Sequence, residues 1–255
     1  MRYQGGKNKQ WKHIVPIIED YLNGRDNVWY IEPFMGGGSV FTHVRHNLKL
    51  GADIDSDVIS MWKHFLQGPA TLPSPSDINE KVYAAMKEES NLPEWERKYP
   101  SWMHGFVSHA CSYGGKKWGG FAHFNQKKNE DHVKEAINGL AKQLDEHYLP
   151  KLSEMLVVSN FIDVPVMPNS VIYCDPPYEG TLGYGKEFNH EKFWNWCRVM
   201  VSEFNCTVLV SEYNAPKDFR CILELGKKDG MGTTKCGCKQ KSKTEKLFVA
   251  NGNAL

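Results

Sequence analysis

Five short apolar runs punctuate the chain: Val28-Trp29-Tyr30-Ile31, Leu48 to Ala52, Met155-Leu156-Val157-Val158, Val171-Ile172-Tyr173-Cys174 and Thr207-Val208-Leu209-Val210. Each is too short for a helix, and each reads as a strand buried on both faces. Between them the apolar positions repeat at helical spacing. Residues 7–22 carry Ile14, Ile17, Ile18, Tyr21 and Leu22 on one stripe, with Pro16 as the weak point. Ser39 is placed to cap a helix running to about His46. Asp55 through Leu66 carries Val58, Ile59, Met61, Trp62 and Phe65, and 190–204 reads as a further helix. Strands alternating with helices predict an α/β fold, a mostly parallel sheet with helices on both faces.

The pattern changes near Gly68. Pro69, Pro73 and Pro75 punctuate a linker, and from there to about Pro150 the pattern is helical and polar. A glycine- and aromatic-rich stretch at 112–121 breaks it. The expected organisation is one core built from residues 1–67 and 151–255, split by an inserted region, 68–150. That insertion is long for a connection and is therefore expected to carry function. No internal repeat is evident.

Composition narrows the classes. Apolar residues make up 41% and charged residues 24% of the 255, which supports a real core and excludes a disordered chain. No apolar run approaches the ~18 residues needed to cross a bilayer. The opening Met1-Arg2-Tyr3-Gln4-Gly5-Gly6 has no apolar signal core. A cytoplasmic protein without a membrane partner is expected (host cytoplasm, if phage-encoded). Seven cysteines are an odd, scattered set. Only Cys236 and Cys238 are close, and C-x-C without a second ligand pair is a poor zinc pattern, so reduced thiols and no metal are expected. A net charge of +1 neither demands nor excludes nucleic acid, because local distribution matters more. Lys116, Lys117, Lys127 and Lys128, with His109 and His123, interleave with Tyr113, Trp118, Phe121 and Phe124. Such mixing suits phosphates and bases together. A later run, Lys235, Lys239, Lys241, Lys243 and Lys246, reads as the solvent face of a β-hairpin. Trp95 and Trp102 read as core.

Ligands of open parallel sheets sit beyond the carboxyl ends of the strands. Three features fall there. Glu32-Pro33-Phe34-Met35-Gly36-Gly37-Gly38-Ser39 lets a backbone turn sharply and approach a ligand closely; it is not G-x-G-x-x-G, so a dinucleotide is not favoured. A plain strand–helix turn would also explain it. Asp53 ends the second strand, where an acid can accept both hydroxyls of a ribose, or else cap a helix as Asp55 or Asp57 would. Asp175-Pro176-Pro177-Tyr178 follows the fourth run directly. Two prolines remove two donors and stiffen the loop. The Asp carboxylate and the next carbonyls then form an acceptor cluster beside an aromatic ring, suited to a flat ligand bearing an amino group.

Together these segments resemble the DNA adenine methyltransferases of the Dam type. Arg2-Tyr3-Gln4-Gly5-Gly6-Lys7 resembles the family's K-W-x-G-G-K. Ile31-Glu32-Pro33-Phe34-Met35-Gly36-Gly37-Gly38-Ser39-Val40-Phe41 is similar to E-P-F-x-G-x-G-S-V-F, and Ala52-Asp53-Ile54-Asp55-Ser56-Asp57-Val58-Ile59 to A-D-I-N-x-D-L-I. Val171-Ile172-Tyr173-Cys174-Asp175-Pro176-Pro177-Tyr178 resembles V-V-Y-C-D-P-P-Y. The resemblance covers the N-terminal third and the last hundred residues. It implies a Rossmann-like S-adenosylmethionine-dependent methyltransferase sheet, with 68–150 as target-recognition region. It also implies a cofactor, S-adenosylmethionine, and a partner, double-stranded DNA. Tyr3 and Lys7 would touch the methionine end of the cofactor and Asp53 the ribose. Asn160 and Phe161 would lie at its adenine. Gly6, Glu32, Pro33, Phe34, Gly36, Gly38, Ser39 and Ile54 would complete the cofactor set, with Asp175 between cofactor and base. Asp175, Pro176 and Pro177 would bind the target amino group and Tyr178 would stack on the base. Tyr113, Lys116, Lys117, Trp118, Lys127 and Lys128 would contact DNA. In the middle, Cys111 to Phe121 stands where the family carries N-x-x-G-x-x-R-x-N, so a GATC target is not carried over. A monomer is expected, with a dimer left open. The lack of a nuclease half suggests an orphan enzyme of phage or bacterial origin.

The chemistry needs such residues. An adenine amino lone pair is delocalised and weakly nucleophilic; acceptors on both N–H groups localise it. Direct displacement at a sulfonium methyl needs alignment rather than a covalent intermediate. A paired adenine must be flipped out and caught by stacking, with Phe188 or Tyr184 helping Tyr178 and the loop Gly180–Gly185 closing over it. Two rivals remain open: transfer to a cytosine amino group or to RNA, and a catalytically silent nucleic-acid-binding relative.

Overall fold

A computed structural model describes residues 1–68, 71–123, 131–145, 155–179, 188–227 and 244–250. Seven strands form one sheet in the order β3-β2-β1-β4-β5-β7-β6. They are β1 (Tyr30–Glu32), β2 (Lys49–Asp53), β3 (Leu156–Val158), β4 (Val171–Cys174), β5 (Thr207–Glu212), β6 (Arg220–Lys227) and β7 (Thr244–Ala250). The first five pair in parallel. β7 runs antiparallel between β5 and β6. The order is thus doubly wound, and the chain reverses direction across the sheet between β1 and β4, the switch point at which ligands of such sheets bind beyond the strands' carboxyl ends.

Alternation along the strands feeds two apolar layers. Tyr30, Val171, Tyr173, Leu209, Leu247 and Val249 join one; Ile31, Ile172, Cys174, Val208, Val210, Phe248 and Ala250 join the other. The first layer is covered by α1 (Trp11–Leu22), α2 (Ser56–Phe65), α4 (Ser101–Ala110) and α5 (His132–Asp145). The second is covered by α6 (His190–Ser202) and the segment around Phe161–Val166. The remaining helix, α3 (Glu80–Glu89), adds Tyr83 and Met86 to the first layer.

Four details depart from the sequence reading. Residues 7–10 form turns and the helix begins at Trp11, because the Lys7 carbonyl accepts both Gln10 N–H and Trp11 N–H. Pro16 stays inside α1 on its solvent side. Residues 39–43 form turns and 44–46 are irregular, so the expected helix is absent. The Ser39 hydroxyl donates to Asn8 Oδ1 (2.7 Å). The buried Lys49 ammonium takes the Phe41 and Val44 carbonyls (2.7 and 2.9 Å), and Glu19 takes the Arg45 N–H (2.9 Å). Those are the groups a longer helix would have used. In the inserted region, α4 is not polar on any face: all its residues but Trp102 are buried. Gly105 lets it lie against α2, where an added Cβ would come within 2.2 Å of the Asp57 carbonyl oxygen. Trp95, read as core, is 84% exposed, whereas Trp102 stacks on His64 at 4.0 Å.

No described helix is long and apolar enough to cross a membrane. Among the described residues, Cys111, Cys174, Cys197, Cys206 and Cys221 are free thiols and no cluster of metal-ligating side chains occurs. Cys236, Cys238 and the lysines at 235–243 lie outside the described residues.

Candidate active site

Acids line the carboxyl edge of the sheet. Glu32 ends β1, Asp53 ends β2, Glu212 ends β5, and Asp175 follows β4. Because β7 runs the other way, its second residue, Glu245, reaches the same edge; Lys246 pairs with Glu212 in the ladder.

One buried cation joins two of these acids. The Lys7 side chain is 3% exposed, and its Nζ lies 2.5 Å from Asp175 Oδ2 and 3.4 Å from Glu245 Oε1. It also donates to the Gly5 carbonyl at 3.0 Å. Burial disfavours its charge, yet the two carboxylates hold its pKa above the ordinary lysine value. The Tyr178 hydroxyl donates to the same Glu245 oxygen at 2.9 Å, and Lys7 Nζ stands 5.1 Å from the Tyr178 ring centre. Asp175 and Tyr178, the ends of the D-P-P-Y loop, are therefore tied together through Lys7 and Glu245. Pro176 is buried and Pro177 half-buried. The loop leaves pinned, with Glu179 N–H donating to Glu212 Oε1 at 2.6 Å. Glu32 accepts from the Tyr30 hydroxyl at 2.6 Å, and burial lifts its carboxyl to about 8. Sequence reading missed Glu245; a charged residue in register with buried Leu247 and Val249 on one strand face was its signal.

The glycine loop is closed on one side by Tyr3. A Cβ at Gly36 or Gly37 would come within 2.8 or 2.6 Å of that side chain. Gly36 and Gly38 adopt positive φ, +45° and +63°, which other residues rarely take. Trp62 fills the space beside Gly38 and donates its ring N–H to the Gly36 carbonyl at 2.9 Å. Gly6 N–H closes a turn onto the Tyr3 carbonyl (3.0 Å). Pro33 and Ser39 are buried in the same loop.

Asp53 stands beside this loop. Its carboxylate accepts Gly36 N–H (2.8 Å) and Asp55 N–H (2.9 Å), and its enclosure lifts it to about 6. Two apolar side chains flank it in the open: Ile54, 71% exposed, and Val158, 54% exposed and paired with Asp53 across β2 and β3. Asn160 caps the 3-10 turn Phe161–Asp163 by accepting Ile162 N–H. Phe161 stacks on the half-buried Phe34 at 5.5 Å. Phe188 packs with these two rings, so it belongs to the Asp53 side of the edge; Tyr213 instead meets Tyr178, edge-on at 4.9 Å.

The 112–121 stretch is docked on the N-terminal segment. Gln4 N–H donates to the Gly115 carbonyl at 3.0 Å, and a Cβ at Gly115 would lie 2.8 Å from Tyr3 backbone atoms. His109, buried, stacks on Tyr3 at 4.2 Å and its Nδ1 bonds the Gly115 carbonyl at 3.1 Å. A carbonyl only accepts, so Nδ1 carries the proton and Nε2 is an acceptor. Burial lowers this imidazole to about 4, and Nε2 has no hydrogen-bond partner among the described residues. The proposed nucleic-acid contacts divide. Tyr113 and Lys116 are exposed. Lys117 instead turns inward to an ion pair with Asp55, two residues from Asp53. Trp118 packs edge-on against Tyr83 and His104. Lys127 and Lys128, like Tyr184 and the 180–185 loop, lie outside the described residues.

The model of the D12 class N6 adenine-specific DNA methyltransferases matches residues 3–222. A curated DNA adenine methylase from Serratia marcescens is 24% identical over 195 residues, 70% of this chain; the match spans 66% of that relative's length, just under two thirds. Two solved structures of the rRNA methyltransferase aviRa from Streptomyces viridochromogenes align with TM-scores of 0.48 and 0.44 at 13% and 14% identity. They cover 99% and 96% of this chain and 88% and 85% of theirs.

Proposed function

The chain belongs to the D12 class of N6 adenine-specific DNA methyltransferases, and on that premise we propose that it moves a methyl group from S-adenosylmethionine to the 6-amino group of an adenine flipped out of duplex DNA. The observation that carries the proposal is the D-P-P-Y loop at the carboxyl end of central β4. It stands on the same sheet edge as the glycine loop and Asp53.

The residues fit the cofactor. Asp53 keeps lone pairs beyond the two taken by backbone N–H groups, enough for ribose hydroxyls. Exposed Ile54 and Val158 beside it offer apolar faces to a flat base, with Phe34 and Phe161 next along the edge. The unmatched acceptor of His109 beside Tyr3 suits a ligand's ammonium end. S-adenosylmethionine, when bound, supplies an electrophilic sulfonium methyl. The remaining work is the chain's own. Asp175 and the Pro176 carbonyl accept the two amino hydrogens and gather the lone pair on nitrogen. Tyr178, its hydroxyl anchored on Glu245, holds the base by its face. After transfer the nitrogen turns acidic and Asp175 takes its proton. Residues 1–67 and 151–255 would do this chemistry. Region 68–150 would choose the site, with exposed Tyr113 and Lys116 as its described DNA contacts.

The test is incubation with labelled S-adenosylmethionine and mixed-sequence duplex DNA, then digestion to nucleosides. Label in methyladenine is expected. Label only in methylcytosine, or only with RNA, would overturn the assignment, and absence of cofactor binding by calorimetry would favour a silent relative. Asp175→Ala is expected to abolish transfer while leaving cofactor binding largely in place; loss of both together would assign Asp175 another role.

A further inference from the structure

We propose that Glu245 is a positioning residue for methyl transfer, sharing the charge of Lys7 so that Asp175 keeps its acceptor capacity for the substrate amino group, and anchoring Tyr178 through its hydroxyl. The inference rests on the transfer reading above and adds a residue that reading does not require.

The geometry is that of a closed circuit. An ammonium has three hydrogens. Lys7 donates to the Gly5 carbonyl and to Asp175 Oδ2, and Glu245 Oε1 stands 3.4 Å from its Nζ as an ion pair. Its hold on Asp175 depends on what else balances it. With Glu245 present, two carboxylates share one cation. Without it, the whole charge falls on Asp175, and the ammonium competes with the incoming amino group for the same oxygens. Glu245 is 1% exposed, so water does not replace it. Glu32, Glu212 and Tyr213 also stand near this cluster. Glu32 bonds Tyr30 and Glu212 is occupied by Glu179 N–H and Tyr213 N–H, so neither substitutes for Glu245 at Lys7. The fold has a reason for the arrangement. Only a strand running against its neighbours delivers its first residues to the edge where the others end, and β7 does so.

The test uses the full chain with Glu245→Gln, which keeps the shape and an acceptor for Tyr178 but removes the charge. Single-turnover transfer at saturating cofactor is expected to slow by about tenfold or more, with cofactor affinity changed by less than about threefold. The Lys7 ammonium, followed by 15N NMR on lysine-labelled protein without cofactor or DNA, is expected to titrate about one pH unit lower or more. In a Lys7→Met background the same substitution is expected to slow transfer no further, because the charge it balanced is gone. Unchanged rate and titration in Glu245→Gln overturn the inference. So does an equal slowing in both backgrounds, or a joint loss of fold, cofactor binding and rate, which marks a merely structural residue. A parent chain that transfers no methyl group overturns the reading beneath it as well; an active parent with an indifferent variant overturns this inference alone.

Discussion

Replacing Lys7 by methionine preserves the length of the stem and deletes the ammonium. Asp175 and Glu245 would then stand in a buried site without their shared cation. Breaking a buried ion pair by removing one partner costs on the order of 3–5 kcal/mol. The cost is limited because one carboxyl can take up a proton, at about 1.4 kcal/mol for each unit its pKa rises. At about pH 8 a loss near ~3 kcal/mol is expected, a fall in melting temperature of roughly 6–12 °C for a chain of this size. The sign with pH follows from the two states. In the parent, the raised pKa of Lys7 makes its contribution fully present below the unfolded value of 10.5, so it is constant through the neutral range. In the variant the carboxyls are lifted above their unfolded values. Their stabilisation of the folded state, present when protonated, is lost as pH climbs through that interval. The destabilisation should therefore be large at about pH 8 and much smaller at about pH 5. Urea unfolding of both proteins at the two pH values reads it directly. A variant as stable as the parent, or one destabilised equally at both pH values, would refute the buried circuit.

Asp53 is held at about 6, so it is ionised at neutral pH and protonates below that value. Cofactor affinity measured by calorimetry should weaken below about pH 6, and Asp53→Asn should weaken it by about tenfold and flatten that dependence; a pH-independent parent would contradict the assignment. Lys116→Ala should lower DNA affinity and reduce the salt slope by about one, whereas Lys117→Ala, which frees Asp55, should change cofactor affinity more than DNA affinity. Equal effects of the two on salt dependence would place both on the DNA. Gly105→Ala drives a methyl into the Asp57 carbonyl and should destabilise by about 3 kcal/mol or more, seen as a lower urea midpoint. A neutral result would show that α2 and α4 are not in backbone contact.

Which parts of this site could be read along the chain depended on how far apart their determinants lie. A buried strand and the loop after it are contiguous, so Val171 to Tyr178 announced both the central strand and the D-P-P-Y loop that follows it. Asp53 was legible for the same reason. Ser39 misled because its partner, Asn8, is distant, and because the buried Lys49 claims carbonyls that a local rule assigns to a helix. Lys117 shows the same limit: a lysine among aromatics reads as a DNA contact, and its ion pair with Asp55 is invisible along the chain. In α4 the letters Ser, His and Gly look polar, yet His104 bonds Glu89 and Gly105 admits a neighbouring backbone. Burial there is set by partners that no window of sequence contains. Glu245 is the extreme case. Its role needs Lys7 and Asp175, from the first residues and from the middle of the chain, together with an antiparallel strand that carries it to the right edge. Short-range pattern thus locates the groups that would meet the reacting atoms. The residues that tune those groups are found only when the sheet is assembled, because charge balance at a buried site is a property of the edge as a whole.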